Sequence, residues 1–316
     1  MRRLIIDTDP GIDDAMAIAV ALASPEFEVV ALSTVFGNHH VEVTTANAQR
    51  VLDYLGSPHV PVVRGAARPL VHPPNPPATF VHGNDGLGDI ELPPPSRPPI
   101  ANRLAAEFIV RTALDRPGTL TLATIGPLTN LALALRLEPA LVDALAQVVV
   151  MGGAALVPGN VTSSAEANVW NDPEAAEIVF GSGLDITMIG LDVTHQLFAD
   201  LEWLAELDDH DTPGAQLIAR TAPTYVRFHQ ETDQLHGIHC HDVATIAYLL
   251  RPDLFETRLL PVRVVTDGFA KGQTVVAQRL EHDSSWSDRP AVRVALGVDT
   301  GQVLDLVRDH LVATPS

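Results

Sequence analysis

Short apolar, β-branched segments alternate with alanine- and leucine-rich segments over most of the first two thirds of this 316-residue chain. Strands are predicted at residues 4–6, 29–35, 60–63, 120–124, 148–150 and 186–191, and helical spacing marks residues 44–55, 102–114 and 173–180. Such alternation favours a parallel sheet with helical crossovers. The sequence therefore predicts an α/β fold with a mainly parallel, Rossmann-like central sheet flanked by helices. In such a sheet the active site lies at the carboxyl ends of the strands.

The rest of the chain departs from this alternation. Residues 201–207, 214–228 and 242–250 are predicted as successive helices, and residues 302–311 as a closing helix. Residues 259–266, 273–279 and 291–298 are predicted as strands of an antiparallel or edge group. Because 46% of the residues are hydrophobic, the chain can bury one large core, and we expect residues 1–316 to form a single domain.

Charge and cysteine content exclude several classes of function. The net charge is −19 and Lys271 is the only lysine, so the surface repels nucleic acid polymers and anionic membranes, and we expect neither as a partner. The single cysteine, Cys240, excludes an internal disulfide framework and a thiolate zinc site within this chain. No signal peptide is recognisable, and no apolar stretch approaches the roughly 20 residues of a membrane span. We expect a cytoplasmic protein with a small-molecule substrate.

A proline-rich segment interrupts the pattern at residues 69–99, which hold 10 of the chain's 25 prolines. Its centre has the sequence VHGNDGLGD, in which His82 precedes a group of glycines. A long insertion of this kind is either a disordered linker or a functional loop. The histidine among glycines favours a mobile loop over the active site.

Four aspartates lie within the sequence DTDPGIDD at residues 7–14, between a predicted strand and a predicted helix. Taken singly, Asp7 can end a strand, and Asp13 or Asp14 can favour a helix start. Four carboxylates held together by a Pro-Gly turn repel one another unless a cation lies among them. The pattern therefore favours a site for a hard divalent ion, which prefers oxygen ligands.

Further polar groups follow other predicted strands and belong to the same edge of the sheet. The loop GNVTSSAEANVWN can bind the hydroxyls of a sugar, or it is simply a solvated loop. A histidine beside a carboxylate can act as a general acid near neutral pH. The candidates outside the acidic cluster are Asn38, His82, Ile125 through a backbone carbonyl, Asn160, Glu166, Asn168, His241 and Asp242.

Taken in order, these motifs resemble the inosine-uridine nucleoside hydrolase family of nucleoside N-ribohydrolases along nearly the whole chain. DTDPGIDDA is similar to the family's N-terminal signature, and GN, HGNDGLG, GPLTN, MGG, GNVTSSAEAN, DPEAA and HD follow in the family's order. The resemblance implies calcium-dependent hydrolysis of the N-glycosidic bond of ribonucleosides to ribose and free base. It also implies a homodimer or homotetramer that acts in purine and pyrimidine salvage.

The resemblance also implies a role for each candidate. The calcium ligands would be Asp9, Asp14, Asp242 and the backbone carbonyl of Ile125. The ribose hydroxyls would be bound by Asp13, Asn160, Glu166 and Asn168, with Asn38 in support. The catalytic residues would be Asp9, which deprotonates the attacking water, and His241, which protonates the leaving base. His82 would lie near the base, and Asp7 would support the site from behind.

The base preference and two other functions stay open at this point. Ala167 stands where the family often has a bulky aromatic residue, which would enlarge the pocket; Trp170 can compensate or can belong to the core. The base-facing candidates within residues 221–236 are Tyr225, Phe228, His229 and His236. Because both His82 and His241 are present, we expect a broad or pyrimidine-leaning preference. The alternatives are a metal-dependent phosphohydrolase and a non-catalytic nucleoside- or ribose-binding homologue.

Overall fold

The computed structural model describes residues 1–101, 103–278 and 284–313. The strands are β1 (Arg2–Thr8), β2 (Phe27–Thr34), β3 (Val62–Arg64), β4 (Leu120–Thr124), β5 (Leu145–Met151), β6 (Ile186–Ile189), β7 (Phe198–Asp200), β8 (Gly237–His239), β9 (Phe255–Val264), β10 (Thr274–Val276) and β11 (Ala291–Val298). The helices are α1 (Ile12–Ala23), α2 (Val41–Tyr54), α3 (Thr79–His82), α4 (Ala105–Asp115), α5 (Thr129–Leu137), α6 (Leu141–Ala144), α7 (Ala167–Asn171), α8 (Pro173–Phe180), α9 (Leu191–Thr194), α10 (Leu201–Asp208), α11 (Pro213–Asp233), α12 (Val243–Leu250) and α13 (Thr300–Leu311). None of the described helices is long and apolar enough to cross a membrane.

The described strands form one nine-stranded sheet and a separate pair. The order in the large sheet is β10-β9-β11-β6-β5-β4-β1-β2-β3. Neighbours from β3 to β11 pair in parallel, whereas β9 pairs antiparallel with β11 and β10 pairs antiparallel with β9. The pair consists of β7 and β8, which are antiparallel. The predicted α/β fold with a mainly parallel central sheet is confirmed.

The predicted elements and the observed ones agree best in the parallel part of the sheet. The strands predicted at residues 120–124 and 291–298 are β4 and β11, although β11 also pairs in parallel with β6 rather than only with the antiparallel group. The strand predicted at residues 273–279 is the shorter β10, and Arg279 lies outside the described residues. Asn102, the first residue of the helix predicted at residues 102–114, also lies outside them. The long α11 contains Pro223 and continues to Asp233.

Helices cover both faces of the sheet. Leu4 and Ile6 of β1 point to a core shared with α1, α2, α11, α12 and α13, while Ile5 points to a core shared with α4, α5 and α8. Successive side chains of a strand alternate between faces, so a strand covered on both sides is apolar at every position. This burial explains the continuous run at residues 4–6. It also leaves the ends of the strands as the place where polar side chains collect.

Hydrogen bonds hold the proline-rich segment at both ends. Near its start, the backbone N–H of Leu70 donates to Asp172 over 3.0 Å, and His72 Nε2 lies 2.9 Å from a carboxylate oxygen of Glu174. Near its end, the backbone N–H of Ser96 donates to Asp53 over 2.7 Å. Between these attachments lies α3, which carries His82. The histidine is therefore placed over the carboxyl edge of the sheet by two attached stretches of loop.

Candidate active site

The turn between β1 and α1 holds two carboxylates against the end of the sheet. Thr8 Oγ1 donates to Asp14 Oδ1 over 2.5 Å, and the backbone N–H of Gly11 donates to Asp14 Oδ2 over 2.8 Å. Asn38, which follows β2, donates its backbone N–H to Asp9 Oδ2 over 2.7 Å and its side-chain N–H to Asp14 Oδ2 over 3.2 Å. The ends of two neighbouring parallel strands thus fix Asp9 and Asp14 relative to each other.

Two glycines allow the backbone to approach Asp9 closely. A Cβ atom on Gly126, after β4, would lie 2.3 Å from Asp9 Oδ1, and one on Gly37, after β2, would lie 2.0 Å from Asp9 Oδ2. Real Cβ atoms do not approach oxygen atoms at these distances, so any side chain at either position would displace the carboxylate. The carboxylate of Asp9 therefore occupies a narrow slot between the ends of β2 and β4.

Asp13, Asp14 and Asp242 form a compact group of carboxylates. One carboxylate oxygen from each lies within 4.8 Å of the other two. Asp242 is the residue before α12, so it reaches the group from the far end of the sequence. Burial raises the pKa of Asp242 well above its ordinary value, and the charges of Asp13, Asp14 and Asp9 raise it further. Burial and the charge of Asp14 raise the pKa of Asp13 to about 7.

The chemistry of this group fits a hard divalent cation. Asp9 Oδ1 and Asp13 Oδ1 are buried and have no hydrogen-bond partner among the described residues. Burial, followed by the charge of Asp14, raises the pKa of Asp9 well above its ordinary value. Buried carboxylates without partners are costly unless a cation compensates their charge. The carbonyl of Ile125 accepts from Asn168 Nδ2 over 3.0 Å and keeps a second lone pair. These oxygen atoms are the ligand type that calcium prefers.

The loop before α7 brings a further carboxylate and two amides to the same edge. Glu166 is buried and accepts from the backbone N–H groups of Gly153 at 2.9 Å, Asn168 at 2.8 Å and Val169 at 3.1 Å. Burial raises the pKa of Glu166, and these three hydrogen bonds oppose the rise. Asn168 Nδ2 joins the carbonyls that end β4 and β5. Asn160 is exposed, and its side-chain oxygen accepts from the backbone N–H of Ala167 over 3.0 Å.

Two predicted histidines lie beside the carboxylates, and both are buried. His82 Nδ1 accepts the backbone N–H of Ile12 over 3.2 Å, so the hydrogen of the neutral ring is on Nε2. Burial lowers the pKa of His82 to about 4. His241 Nδ1 lies 2.8 Å from Thr194 Oγ1, and burial lowers the pKa of His241 well below its ordinary value. Both rings are therefore neutral near pH 7.

Other rings extend this pair into a wall, which we call the histidine wall: His82, His195, His229, His239, His241 and Tyr225. Ring centroids are 5.6 Å apart for His239 and His241, 5.1 Å for His229 and His239, and 5.2 Å for His195 and His239. Tyr225 lies 4.7 Å from His229 and 5.9 Å from His82.

Sequence reasoning did not single out His195 and His239. They meet because β7 pairs with β8, and neither strand is marked by an apolar run. Of the four base-facing candidates, Tyr225 and His229 are buried in the wall, Phe228 is half-buried and His236 is exposed.

Asp7 lies behind the other acids, at the end of β1. Its Oδ1 accepts from Ser33 Oγ over 2.5 Å and from Asn130 Nδ2 over 2.8 Å. Burial raises the pKa of Asp7 to about 6, and these two hydrogen bonds oppose the rise. Asn130 also accepts the backbone N–H of Ala66 over 2.8 Å. Asp7 and Asn130 thus tie together the ends of β1 and β2 and the start of α5.

Comparison with known proteins decides the family. The model of the inosine-uridine preferring nucleoside hydrolase family matches residues 4–305. The chain belongs to this family. It is 41% identical to the probable uridine nucleosidase 2 of Arabidopsis thaliana over 98% of this chain and 97% of that protein. It is 38% identical to the pyrimidine-specific ribonucleoside hydrolase RihA of Salmonella paratyphi B over 98% of this chain and 97% of that protein. A solved plant nucleoside hydrolase, the PpNRh1 enzyme, superposes with a TM-score of 0.96 at 37% identity over 99% of both chains.

Membership of the nucleoside hydrolase family gives the site a reaction. The chain is an enzyme, a glycosidase that hydrolyses the N-glycosyl bond of ribonucleosides. Such a reaction needs negative charge beside the sugar and neutral hydrogen-bond donors beside the leaving base. The carboxylate group and the histidine wall supply these two environments side by side.

Proposed function

We propose that this nucleoside hydrolase uses calcium to hydrolyse ribonucleosides to ribose and free base, with a broad or pyrimidine-leaning base preference. The observation that carries the proposal is the pair of buried, unpartnered oxygens of Asp9 and Asp13 beside a wall of neutral imidazoles. The names of the relatives, a uridine nucleosidase and a pyrimidine-specific hydrolase, support the pyrimidine preference.

In this proposal Asp9 is the group that activates the attacking water. The calcium ligands are Asp9, Asp14, Asp242 and the carbonyl of Ile125. When bound, calcium lowers the pKa of a water molecule and contacts the ribose diol. Asp9 Oδ1 has no partner among the described residues and can accept a proton, while Oδ2 is held by Asn38. One oxygen therefore orients the carboxylate and the other is free for catalysis.

The ribose would be held by the groups at the ends of β1 and β5. Asp13 has a free buried oxygen, and Glu166 is held by backbone N–H groups with lone pairs left for hydroxyl donors. Asn168 and Asn160 lie in the same loop. Cleavage of a ribosyl C–N bond passes through a sugar with cationic character, so carboxylates next to the ring stabilise the transition state.

The leaving base would be protonated or hydrogen-bonded by the histidine wall. His82 has its hydrogen on Nε2, because Nδ1 accepts from Ile12. His241 is held through Nδ1 by Thr194, which leaves Nε2 for the base. A positioned acid contributes on the order of 10²–10⁴-fold to such a reaction. His241 is the proposed acid, and His82 the proposed contact near the base.

No observation favours the two alternatives. A phosphohydrolase needs cationic groups for the phosphate. In the described part of the chain, the hydrogen bonds to Asp9 and Asp14 come from Thr8, Asn38 and backbone N–H groups, and none from an arginine or a lysine. The non-catalytic alternative is contradicted, because the family and its relatives are hydrolases.

The test is ribose release from uridine, cytidine and inosine, with calcium and again after chelation. The proposal expects release that chelation abolishes and that calcium restores, with uridine or cytidine hydrolysed at least as well as inosine. The Asp9→Asn variant should bind ribose but not hydrolyse nucleosides, while Asp143→Asn, which removes an exposed carboxylate, should behave as wild type. Undiminished activity after complete chelation would contradict the role of calcium.

Three further expectations belong to the same proposal. We propose a homodimer or homotetramer, a cytoplasmic location, and a mobile loop at residues 69–99 that covers the site. Light scattering of the purified protein tests the assembly, and fractionation of expressing cells tests the location. Limited proteolysis with and without ribose tests the loop, which should be cut more slowly when the site is filled.

A further inference from the structure

His229 has a buried ring nitrogen that no described residue satisfies. The side chain lies in α11 and is 4% exposed. Its Nε2 has no hydrogen-bond partner in the described part of the chain. Its Nδ1 lies 3.4 Å from Oδ2 of Asp233, one helical turn further on. The ring is therefore held on one side, and its other nitrogen is left without a partner in the interior.

Asp233 decides which nitrogen of His229 carries the hydrogen. The Asp233 side chain is 52% exposed, and its Oδ2 also accepts from Thr232 Oγ1 over 3.0 Å. A carboxylate only accepts hydrogen bonds, so the facing Nδ1 of a neutral imidazole carries the hydrogen and Nε2 has the lone pair. Burial lowers the pKa of His229 despite the opposing effect of Asp233, which keeps the ring neutral. Nε2 is consequently a hydrogen-bond acceptor.

The surroundings of His229 are those of a base-binding surface. The rings of Tyr225, Phe228 and His239 lie with centroids 4.7, 5.1 and 5.1 Å away. His239 Nδ1 is also buried and lacks a partner among the described residues. Tyr225 lies close enough to Asp13 for that charge to raise the pKa of the phenol, so the wall continues directly to the carboxylates. A flat base with polar edges would fill this place and satisfy both nitrogens.

Building on the proposed function, we propose that His229 Nε2 accepts the ring N–H of a lactam base, and that Asp233 is the positioning residue that fixes this acceptor. Uracil and hypoxanthine both have a ring N–H beside a carbonyl. Cytosine and adenine have an unprotonated ring nitrogen at the corresponding position, which would face the lone pair of Nε2. His239 Nδ1 can donate to the neighbouring carbonyl. Uridine and inosine are thus favoured over cytidine and adenosine.

The sharpest test compares uridine with 3-methyluridine, in which a methyl group replaces the ring hydrogen. Leaving a buried acceptor unpaired costs about 1–3 kcal/mol, so the wild-type enzyme should prefer uridine by roughly 10- to 100-fold in kcat/KM. His229→Phe keeps a ring but removes the acceptor, and the uridine to 3-methyluridine ratio should fall toward one. His59→Phe, a matched change at an exposed histidine after α2, should keep the wild-type ratio.

Two further variants separate positioning from folding. His229→Gln offers a side-chain oxygen as acceptor and should restore part of the preference lost in His229→Phe. Asp233→Ala removes a half-exposed side chain, so thermal unfolding should be unchanged while the preference for uridine falls, because the hydrogen on the ring is no longer fixed. A merely structural role of Asp233 would change the unfolding temperature and leave the ratio unchanged.

The outcomes distinguish this inference from the proposed function. If the wild-type enzyme releases ribose from no nucleoside, the proposed function fails. If it hydrolyses uridine and the ratio stays at its wild-type value in folded His229→Phe and in Asp233→Ala, the methyl group is excluded by size alone. In that case the acceptor role of His229 is wrong and the hydrolase function stands.

Discussion

Replacement of Asp7 by asparagine should remove a pH-dependent loss of stability that the wild-type protein carries. Asp7 is fully buried at the end of β1, and its Oδ1 accepts from Ser33 and Asn130. An asparagine has nearly the same shape and keeps an oxygen acceptor for both donors. It cannot ionise, however, so the cost of burying a charge at this position disappears.

The size of the effect follows from the pKa of Asp7, which burial raises from 3.8 to about 6. Since the folded-state pKa is the higher one, the protonated carboxyl stabilises the fold below pH 3.8, and this contribution is lost as the pH rises through 6. At 1.36 kcal/mol per pKa unit the full contribution is about 3 kcal/mol. Between pH 4.5 and 7 the expected loss from this one residue is about 2 kcal/mol.

Urea unfolding at pH 4.5, 5.5, 6.5 and 7, in the presence of a chelator, measures this difference. The free energy of unfolding of Asp7→Asn relative to wild type should rise by about 2 kcal/mol from the lowest pH to the highest. The change of the difference with pH is the informative quantity, because lost contacts of the asparagine would shift all values equally. Asp143→Asn controls for the loss of a surface charge. Parallel pH curves for wild type and Asp7→Asn would refute the reasoning.

Three other changes test the site itself. Gly126→Ala places a methyl group 2.3 Å from Asp9 Oδ1 and should lower kcat/KM for uridine roughly 10- to 100-fold, whereas unchanged activity would show that the slot around Asp9 is not needed. Thr194→Val leaves His241 Nδ1 without its partner and should lower kcat by a similar factor of about 10 to 100, while Thr194→Ser should retain activity. Calcium at about 100 times its dissociation constant should stabilise the wild type by roughly 2.7 kcal/mol and Asp242→Asn much less, as measured by thermal unfolding; equal stabilisation would exclude Asp242 as a ligand.

Local signals explain why the acidic part of the site could be predicted from the sequence. An apolar run, a Pro-Gly turn and a helix start place Asp9 and Asp14 at a strand end whatever the rest of the chain does. The strand order then brings Asn38 and Ile125 to the same edge, because β2 and β4 are the two neighbours of β1. Each step uses contacts between residues that are near in sequence, or the general rule for parallel sheets.

The histidine wall could not be predicted in the same way. His195 and His239 meet only because two three-residue strands, β7 and β8, pair at the edge of the domain. Neither strand has the length or the apolar pattern that identifies a strand in a sequence. Likewise, His229 and His236 have similar surroundings in the sequence, and only the packing of α11 buries the first and leaves the second exposed. The choice of base therefore depends on long-range contacts that no local pattern records.

Because the acids come from both ends of the chain, the site can be completed only late in synthesis. The strand, turn and helix with Asp9, Asp13 and Asp14 leave the ribosome first, but Asp242 precedes α12, near the other end. Until then α1 also lacks α11, α12 and α13, against which it packs in the finished protein. A nascent chain thus contains mutually repelling carboxylates and an uncovered helix face, and both are relieved by the same C-terminal elements. Complete folding is therefore a precondition for any cation to be held, and an enzyme molecule truncated before Asp242 would be neither stable nor loaded.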